Sequence, residues 1–155
     1  MIDLRAEGFP LHFRKLRPQQ EEVLERLMAS THRVDVAALP TGTGKSLLAI
    51  AYARMTGLPA VVLTSTRALQ DQYALDFPAP LTYDVRGMGN YPCRALDTGS
   101  CDVGPCLDGE ACVWREAGCA YYDRIRRAAA HPIVVTNYAF WFKHRGEETL
   151  GKREL

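Results

Sequence analysis

Apolar positions along the chain recur with two different periods. Val23, Leu24, Leu27 and Met28 return at helical spacing behind Pro18, a residue suited to a first helical turn, so residues 18–28 are predicted as a helix. Residues 33–39 (RVDVAAL), 60–65 (AVVLTS) and 132–136 (PIVVT) are short apolar runs bounded by turn residues, and they read as buried strands. Helices are predicted over 46–55, closed by Gly57 and Pro59, over 67–75, closed by Pro78 and Pro80, and over 120–130. Residues 82–85 read as a further short strand, and 40–46 as a turn. Strands that are apolar on both faces and alternate with helices imply a parallel α/β sheet. The segment 87–119 breaks this rhythm. It mixes Gly, Pro and Cys without any period and reads as a loop-rich insert.

Composition adds limits. The 155 residues are 47% hydrophobic and 24% charged, an ordinary globular balance. Lys and Arg total 19 against 18 Asp and Glu, a net charge of +1, so any nucleic-acid surface has to be a local patch. No apolar run is long enough for a membrane span, and the N-terminus carries early acids with no apolar signal core. A cytoplasmic protein is therefore expected.

The sharpest motif is PTGTGKS at 40–46, set between a predicted strand and a predicted helix, where a phosphate-binding loop belongs. Gly42 and Gly44 let the backbone turn tightly and aim successive N–H groups inward, and the following helix adds its N-terminal dipole. Thr41, Gly42, Thr43, Gly44, Lys45 and Ser46 are the nucleotide-binding candidates. Lys45 is expected to reach the β- and γ-phosphates and the Ser46 hydroxyl to ligate magnesium. The full Walker A pattern wants a small residue at position 39, where this chain has Leu39. A Gly-rich turn that binds nothing is the plain alternative.

All five cysteines, Cys93, Cys101, Cys106, Cys112 and Cys119, lie in the insert, separated by seven, four, five and six residues. An odd count without a secretion signal argues against a disulfide framework, and no Cys-x-x-Cys occurs. Four thiolates on a loop-rich segment suit an iron–sulfur or zinc cage. Reduced, unliganded thiols are the alternative.

PTGTGKS, LTSTRALQDQ at 63–72, GNYPC at 89–93, CAYYDRIRRAA at 119–129 and VVTNYAF at 134–140 follow one another in an order that resembles the XPD/DinG group of iron–sulfur DNA helicases, superfamily two. The resemblance runs over residues 9–155. It implies a partial RecA-like P-loop NTPase sheet, residues 1–86 and 120–155, with an inserted cysteine-rich iron–sulfur subdomain over 87–119. It implies that Gln20, or else Gln19, reads adenine with Arg17 nearby. It implies that Thr64, Thr66 and Gln70 of the motif Ia-like segment contact the backbone of single-stranded or forked DNA. It also implies a [4Fe–4S] cluster, with zinc as the rival, held by Cys93, Cys106, Cys112 and Cys119. Cys101 is then left over, able to replace Cys106.

Beside that resemblance, Arg86, Arg94, Arg115, Arg124, Arg126 and Arg127 offer cations for phosphates, and Tyr91, Trp114, Tyr121 and Tyr122 offer faces for bases. A solvated helix face and cluster-covering aromatics are the competing readings. Tyr138, Phe140, Trp141 and Phe142 read as core or interface.

A helicase of this type also needs an Asp-Glu box on a following strand and a second RecA-like domain. No DEAH, DEAD or DECH string occurs; the chain reads LGKREL at 150–155 where such a strand would be approached. The expectation is the N-terminal part of an ATP-dependent helicase. It would bind ATP and DNA, leave an apolar sheet edge open, and lack efficient hydrolysis and unwinding alone. A non-catalytic nucleotide- or DNA-binding module, and another P-loop enzyme with structural zinc, are the alternatives.

Overall fold

The computed structural model describes residues 2–107, 111–144 and 149–153. Its elements are α1 (Pro18–Ala29), α2 (Lys45–Thr56), β1 (Ala60–Thr64), α3 (Arg67–Asp76), β2 (Tyr83–Asp84), α4 (Ala120–Ala130), β3 (Ile133–Asn137) and α5 (Tyr138–His144). Local chemistry sets many of the boundaries. Pro18 opens α1, and Gln20 Oε1 accepts from the Arg17 N–H at 2.8 Å, satisfying a donor just outside the helix. Gly57, at φ +67, closes α2 in the left-handed region. Thr66 caps α3, its hydroxyl accepting from the Leu69 N–H at 3.2 Å.

The fold is α/β around a small parallel sheet of three strands in the order β1–β3–β2. Ala60 to Thr64 run beside Ile133 to Asn137, while Tyr83 and Asp84 face Val134 and Val135. The central strand β3 is buried from Ile133 to Thr136, as a strand apolar on both faces must be. One core cluster, including Leu24, Ile50, Phe77 and Ile133, joins α1 and α2 to one side of the sheet; a second, including Val85, Cys101, Tyr121, Val134 and Phe140, lies under the cysteine segment. The C-terminal ends of the strands lead into α3, α5 and the cysteine segment.

The predicted strand over 33–39 does not form. Val34 is 75% and Val36 88% exposed, and no ladder includes them. An apolar run becomes a strand only where it lies alongside a partner, and among the described residues neither outer edge of the β1–β3–β2 sheet pairs with it. The segment instead passes as irregular chain directly into the glycine-rich loop. A second difference is α5, absent from the pattern reading because seven residues give too few periods to recognise.

Residues 87–107 and 111–119 carry 3₁₀ turns at Met88–Asn90, Cys101–Val103 and Pro105–Leu107 and one isolated antiparallel bridge, Pro92 to Ser100. Of the 150–155 segment, Glu154 and Leu155 lie outside the described residues. Among the described residues, no helix is long and apolar enough to cross a membrane.

Arg153 fastens the end of the described chain. Its guanidinium donates to the carbonyls of Leu150 at 2.6 Å, Ala128 at 2.7 Å, Ala129 at 3.1 Å, Pro132 at 3.2 Å and Ala60 at 3.3 Å, which ties the C-terminus of α4 to the start of the sheet. Burial lowers its pKa, since no carboxylate is among the causes that act on it. Replacing Arg153 with Ala should lower stability by about 2 kcal/mol, because orphaned helix-end carbonyls must find water. Arg153→Lys, with fewer donors, should fall between; urea denaturation of the three proteins checks the order.

Candidate functional site

The glycine-rich loop is built from three sides. Gly42 and Gly44 sit at φ +77 and +81, so both occupy the left-handed region that the motif's glycines allow. Thr43 Oγ1 donates to the Pro40 carbonyl at 2.7 Å and tightens the turn. Gln20, buried on α1, donates from Nε2 to the Thr43 carbonyl at 2.6 Å. The residue that resemblance made an adenine reader therefore also grips the loop itself. Gly44 is the point of closest approach, since a Cβ there would lie 2.4 Å from Gln20 Nε2.

Lys45 and Ser46 follow as the first two residues of α2. Lys45 Nζ donates to the carbonyls of Leu39 at 3.1 Å and Pro40 at 2.9 Å, so the ammonium folds back over the mouth of the loop. Exposed contacts of this kind are readily exchanged for phosphate oxygens, which make stronger charge-assisted bonds. Thr41 is exposed, and Thr43, Gly44 and Ser46 are half-buried. Two left-handed glycines, a helix N-terminus and an adjacent lysine make a donor set that fits a polyphosphate with magnesium on Ser46.

The three residues assigned to DNA part company. Thr66 is exposed at the head of α3. Thr64 is buried and donates to the Thr136 carbonyl at 3.2 Å. Gln70 is fully buried; Nε2 donates to the Val85 carbonyl at 2.9 Å and Oε1 accepts from Asn137 Nδ2 at 3.2 Å. Thr64 and Gln70 thus spend their polar atoms inside the sheet, which corrects their assignment to a nucleic-acid surface. A cleft of about 340 Å³ opens instead at the C-terminal ends of the strands, where ligands of parallel sheets sit. Ser65, Arg67, Asn90 and Lys143 bring it hydroxyl, amide and cationic groups. Sequence reading missed Lys143, which stands in no motif, and Asn90, which lies in GNYPC without an expected role there; only the fold brings both to the cleft.

The arginines of the cysteine segment and α4 are largely engaged. Arg86 pairs with Asp71 at 2.7 Å and Asp84 at 2.9 Å, Arg124 with Asp84, and Arg126 with Asp123. Arg94 lies over Trp114 and Arg115 over Tyr122, at 4.3 and 4.7 Å from the ring centroids. Tyr121 is buried, with its hydroxyl 3.1 Å from His144 Nε2, and Tyr91 accepts at its hydroxyl from the Arg86 N–H at 3.0 Å. These aromatics cover and pack. Phe140 is core, whereas Tyr138 and Phe142 are exposed and stack on each other.

The five thiols occupy neighbouring positions. Cys101 and Cys119 are buried with their sulfurs 4.0 Å apart, and Cys93, Cys106 and Cys112 are half-buried. Burial, with the proximity of Cys119 and Cys93, pushes the Cys101 thiol up to about 12, against a weaker opposing hydrogen bond from the Tyr121 backbone. Burial and then the nearby Cys112, Cys119 and Cys93 raise Cys106 as well. Among the described residues, no three His, Cys, Asp or Glu side chains already converge on one ion. The soft thiol donors suit iron or zinc, and a cation beside Cys101 and Cys106 would offset the burial and neighbouring thiols that raise them.

The chain is 32% identical over 132 residues to the ATP-dependent Clp protease ATP-binding subunit ClpX 3 of Methylococcus capsulatus (strain ATCC 33009 / NCIMB 11132 / Bath). The alignment covers 81% of this chain and 26% of the relative, so the chain spans about a quarter of that protein's length. No protein-family profile matches the chain, and no solved structure does.

Proposed function

We propose that the chain is the nucleotide-binding first part of an ATP-driven motor of the XPD/DinG iron–sulfur helicase type. The observation that carries this reading is the loop 40–46: two left-handed glycines lead into α2, Lys45 stands at its mouth and Gln20 holds its backbone. In this reading the loop N–H groups and Lys45 bind the β- and γ-phosphates, Ser46 takes magnesium, and Gln20 couples the adenine side to the loop. The sheet is the RecA-like half-core, and the cysteine segment is the cluster-bearing insert. A [4Fe–4S] group would be held by thiolates of the insert and would supply a rigid cross-link for a segment that has little secondary structure of its own. Single-stranded DNA would run over the strand ends, with Thr66, Ser65, Arg67 and Lys143 facing its phosphates. The relative's printed description as an ATP-binding subunit agrees with the nucleotide site and supports a second reading, the ATP-binding part of a protease-associated motor.

Lys45→Ala tests the nucleotide site. Loss of one charge-assisted phosphate contact should weaken ATP binding about tenfold to a hundredfold, with stability unchanged. Unaltered affinity, measured by calorimetry, would remove the phosphate-loop assignment. Iron and sulfide content after anaerobic purification, with single-stranded DNA titration, separates the two motors. The helicase reading requires both iron and DNA binding, and the second requires neither.

A further inference from the structure

We infer that Tyr138 and Phe142 of α5 form a base-stacking platform beside the strand-end cleft, a reading that rests on the single-stranded DNA path proposed above and adds to it the groups that hold the bases. The aromatic side chains of α5 have two fates. Phe140 and Trp141 pack into the core cluster under the cysteine segment, and Phe140 stacks on His144 at 4.3 Å. Tyr138 and Phe142 belong to neither core cluster. They are 47% and 63% exposed, and, one turn apart on the helix, their rings stack with centroids 6.2 Å apart and planes 23° from parallel. Anchoring the helix therefore does not account for them.

The pair stands on a fixed base. α5 begins where β3 ends, and Asn137 joins the two: its Oδ1 accepts from the Phe140 N–H at 2.9 Å while its Nδ2 donates to Gln70 Oε1 at 3.2 Å. Rings already stacked on an anchored helix lose little freedom when a flat ligand settles on them. Successive residues turn about 100° around a helix, so the stripe of Ala139 and Lys143, which lines the cleft, runs next to the stripe of Tyr138 and Phe142. Among the described residues, the lining of that cleft holds two cations, Arg67 and Lys143, and no carboxylate. A flat aromatic surface alongside a cationic groove fits a single strand of nucleic acid, with phosphates in the groove and bases on the rings. An apolar protein surface would match the rings and leave both cations without counter-charges; a DNA strand matches both features.

Fluorescence anisotropy on the full chain, with a short oligothymidylate and an abasic strand of equal length, separates base contacts from phosphate contacts. Wild type should bind the base-bearing strand more tightly. Tyr138→Ala/Phe142→Ala should lose about tenfold to a hundredfold for oligothymidylate and nothing for the abasic strand, while Phe142→Trp keeps the wild-type affinity. Lys143→Ala should weaken both strands and lower the salt dependence by about one counterion, with the preference for bases retained. Both rings are exposed, so the double variant should keep the wild-type circular dichroism spectrum. Wild type that binds the two strands equally keeps the DNA path and overturns the platform. So does a double variant with undiminished affinity for oligothymidylate, which would assign the pair to a different partner, or one that weakens both strands alike. Wild type that binds neither strand removes the DNA path, and the platform falls with it.

Discussion

Gln70→Ala should cost about 3–4 kcal/mol of stability, because it combines a cavity in the sheet with lost hydrogen bonds at fully buried groups. The side chain bridges both neighbours of α3's buried face: Nε2 reaches the carbonyl of Val85 at 2.9 Å and, more weakly, that of Val135 at 3.4 Å, while Oε1 takes the amide of Asn137. Val85 keeps a second donor, the Thr136 hydroxyl at 2.8 Å, so its carbonyl is not wholly abandoned. Gln70→Leu refills most of the volume and should recover part of the loss, about 1–2 kcal/mol. Gln70→Glu should be worse than either, since a carboxylate has no proton for the two carbonyls it would face. Urea unfolding gives the order. Single-stranded DNA affinity per folded molecule should change little in Gln70→Leu. A variant with wild-type stability and abolished DNA binding would return Gln70 to the nucleic-acid surface.

Gln70 also shows where sequence legibility ends. A glutamine in TSTRALQDQ is polar and next to a helix start, and polarity alone places it outside. Its burial depends on β3 and on residue 85, distant in sequence, which bring backbone carbonyls to it. The same limit appears in reverse at 33–39. Apolar content predicts a buried strand, but a ladder needs the segment to lie alongside a sheet edge, and no local pattern reports whether it does. What local chemistry controls was legible: α1 from its spacing and Pro18, the ends of α2 from two glycines, α4 from its first residue to its last, and the parallel relation of β1 and β3 from their doubly apolar faces. The turn at the glycine-rich loop belongs to this group because its conformation is written in adjacent residues. The thiol arrangement does not. Spacing ranks cysteines by distance along the chain, whereas the fold brings the sulfurs of Cys101 and Cys119 to 4.0 Å from each other across the segment.

Gly44→Ala should be the most damaging substitution in the glycine-rich loop, and Gly42→Ala shows why. Both glycines are left-handed, so an alanine at either carries about 1–2 kcal/mol of backbone strain. At Gly42 nothing lies within 4 Å of the added Cβ, and strain is the whole effect. At Gly44 the Cβ would stand 2.4 Å from Gln20 Nε2. The end of a glutamine can ordinarily swing away, but this one is 6% exposed and tied at both atoms, accepting from the Arg17 N–H at 2.8 Å and donating to the Thr43 carbonyl at 2.6 Å. Displacing it breaks both bonds, each worth about 1 kcal/mol, so Gly44→Ala should cost about 3–4 kcal/mol in total. The double variant Gly44→Ala/Gln20→Ala separates the contributions. Truncating Gln20 removes the clash and leaves the strain, so the second substitution should add much less in the Gly44→Ala background than in wild type. Thermal unfolding of the four proteins measures that coupling, and strict additivity would show that the two side chains do not compete for the same space. In the ATP-binding reading the loop loses its clamp as well as its shape. Nucleotide affinity should therefore fall further in Gly44→Ala than in Gly42→Ala, and Gln20→Ala alone should weaken binding by loosening a cradle whose phosphate-facing N–H groups are all still present.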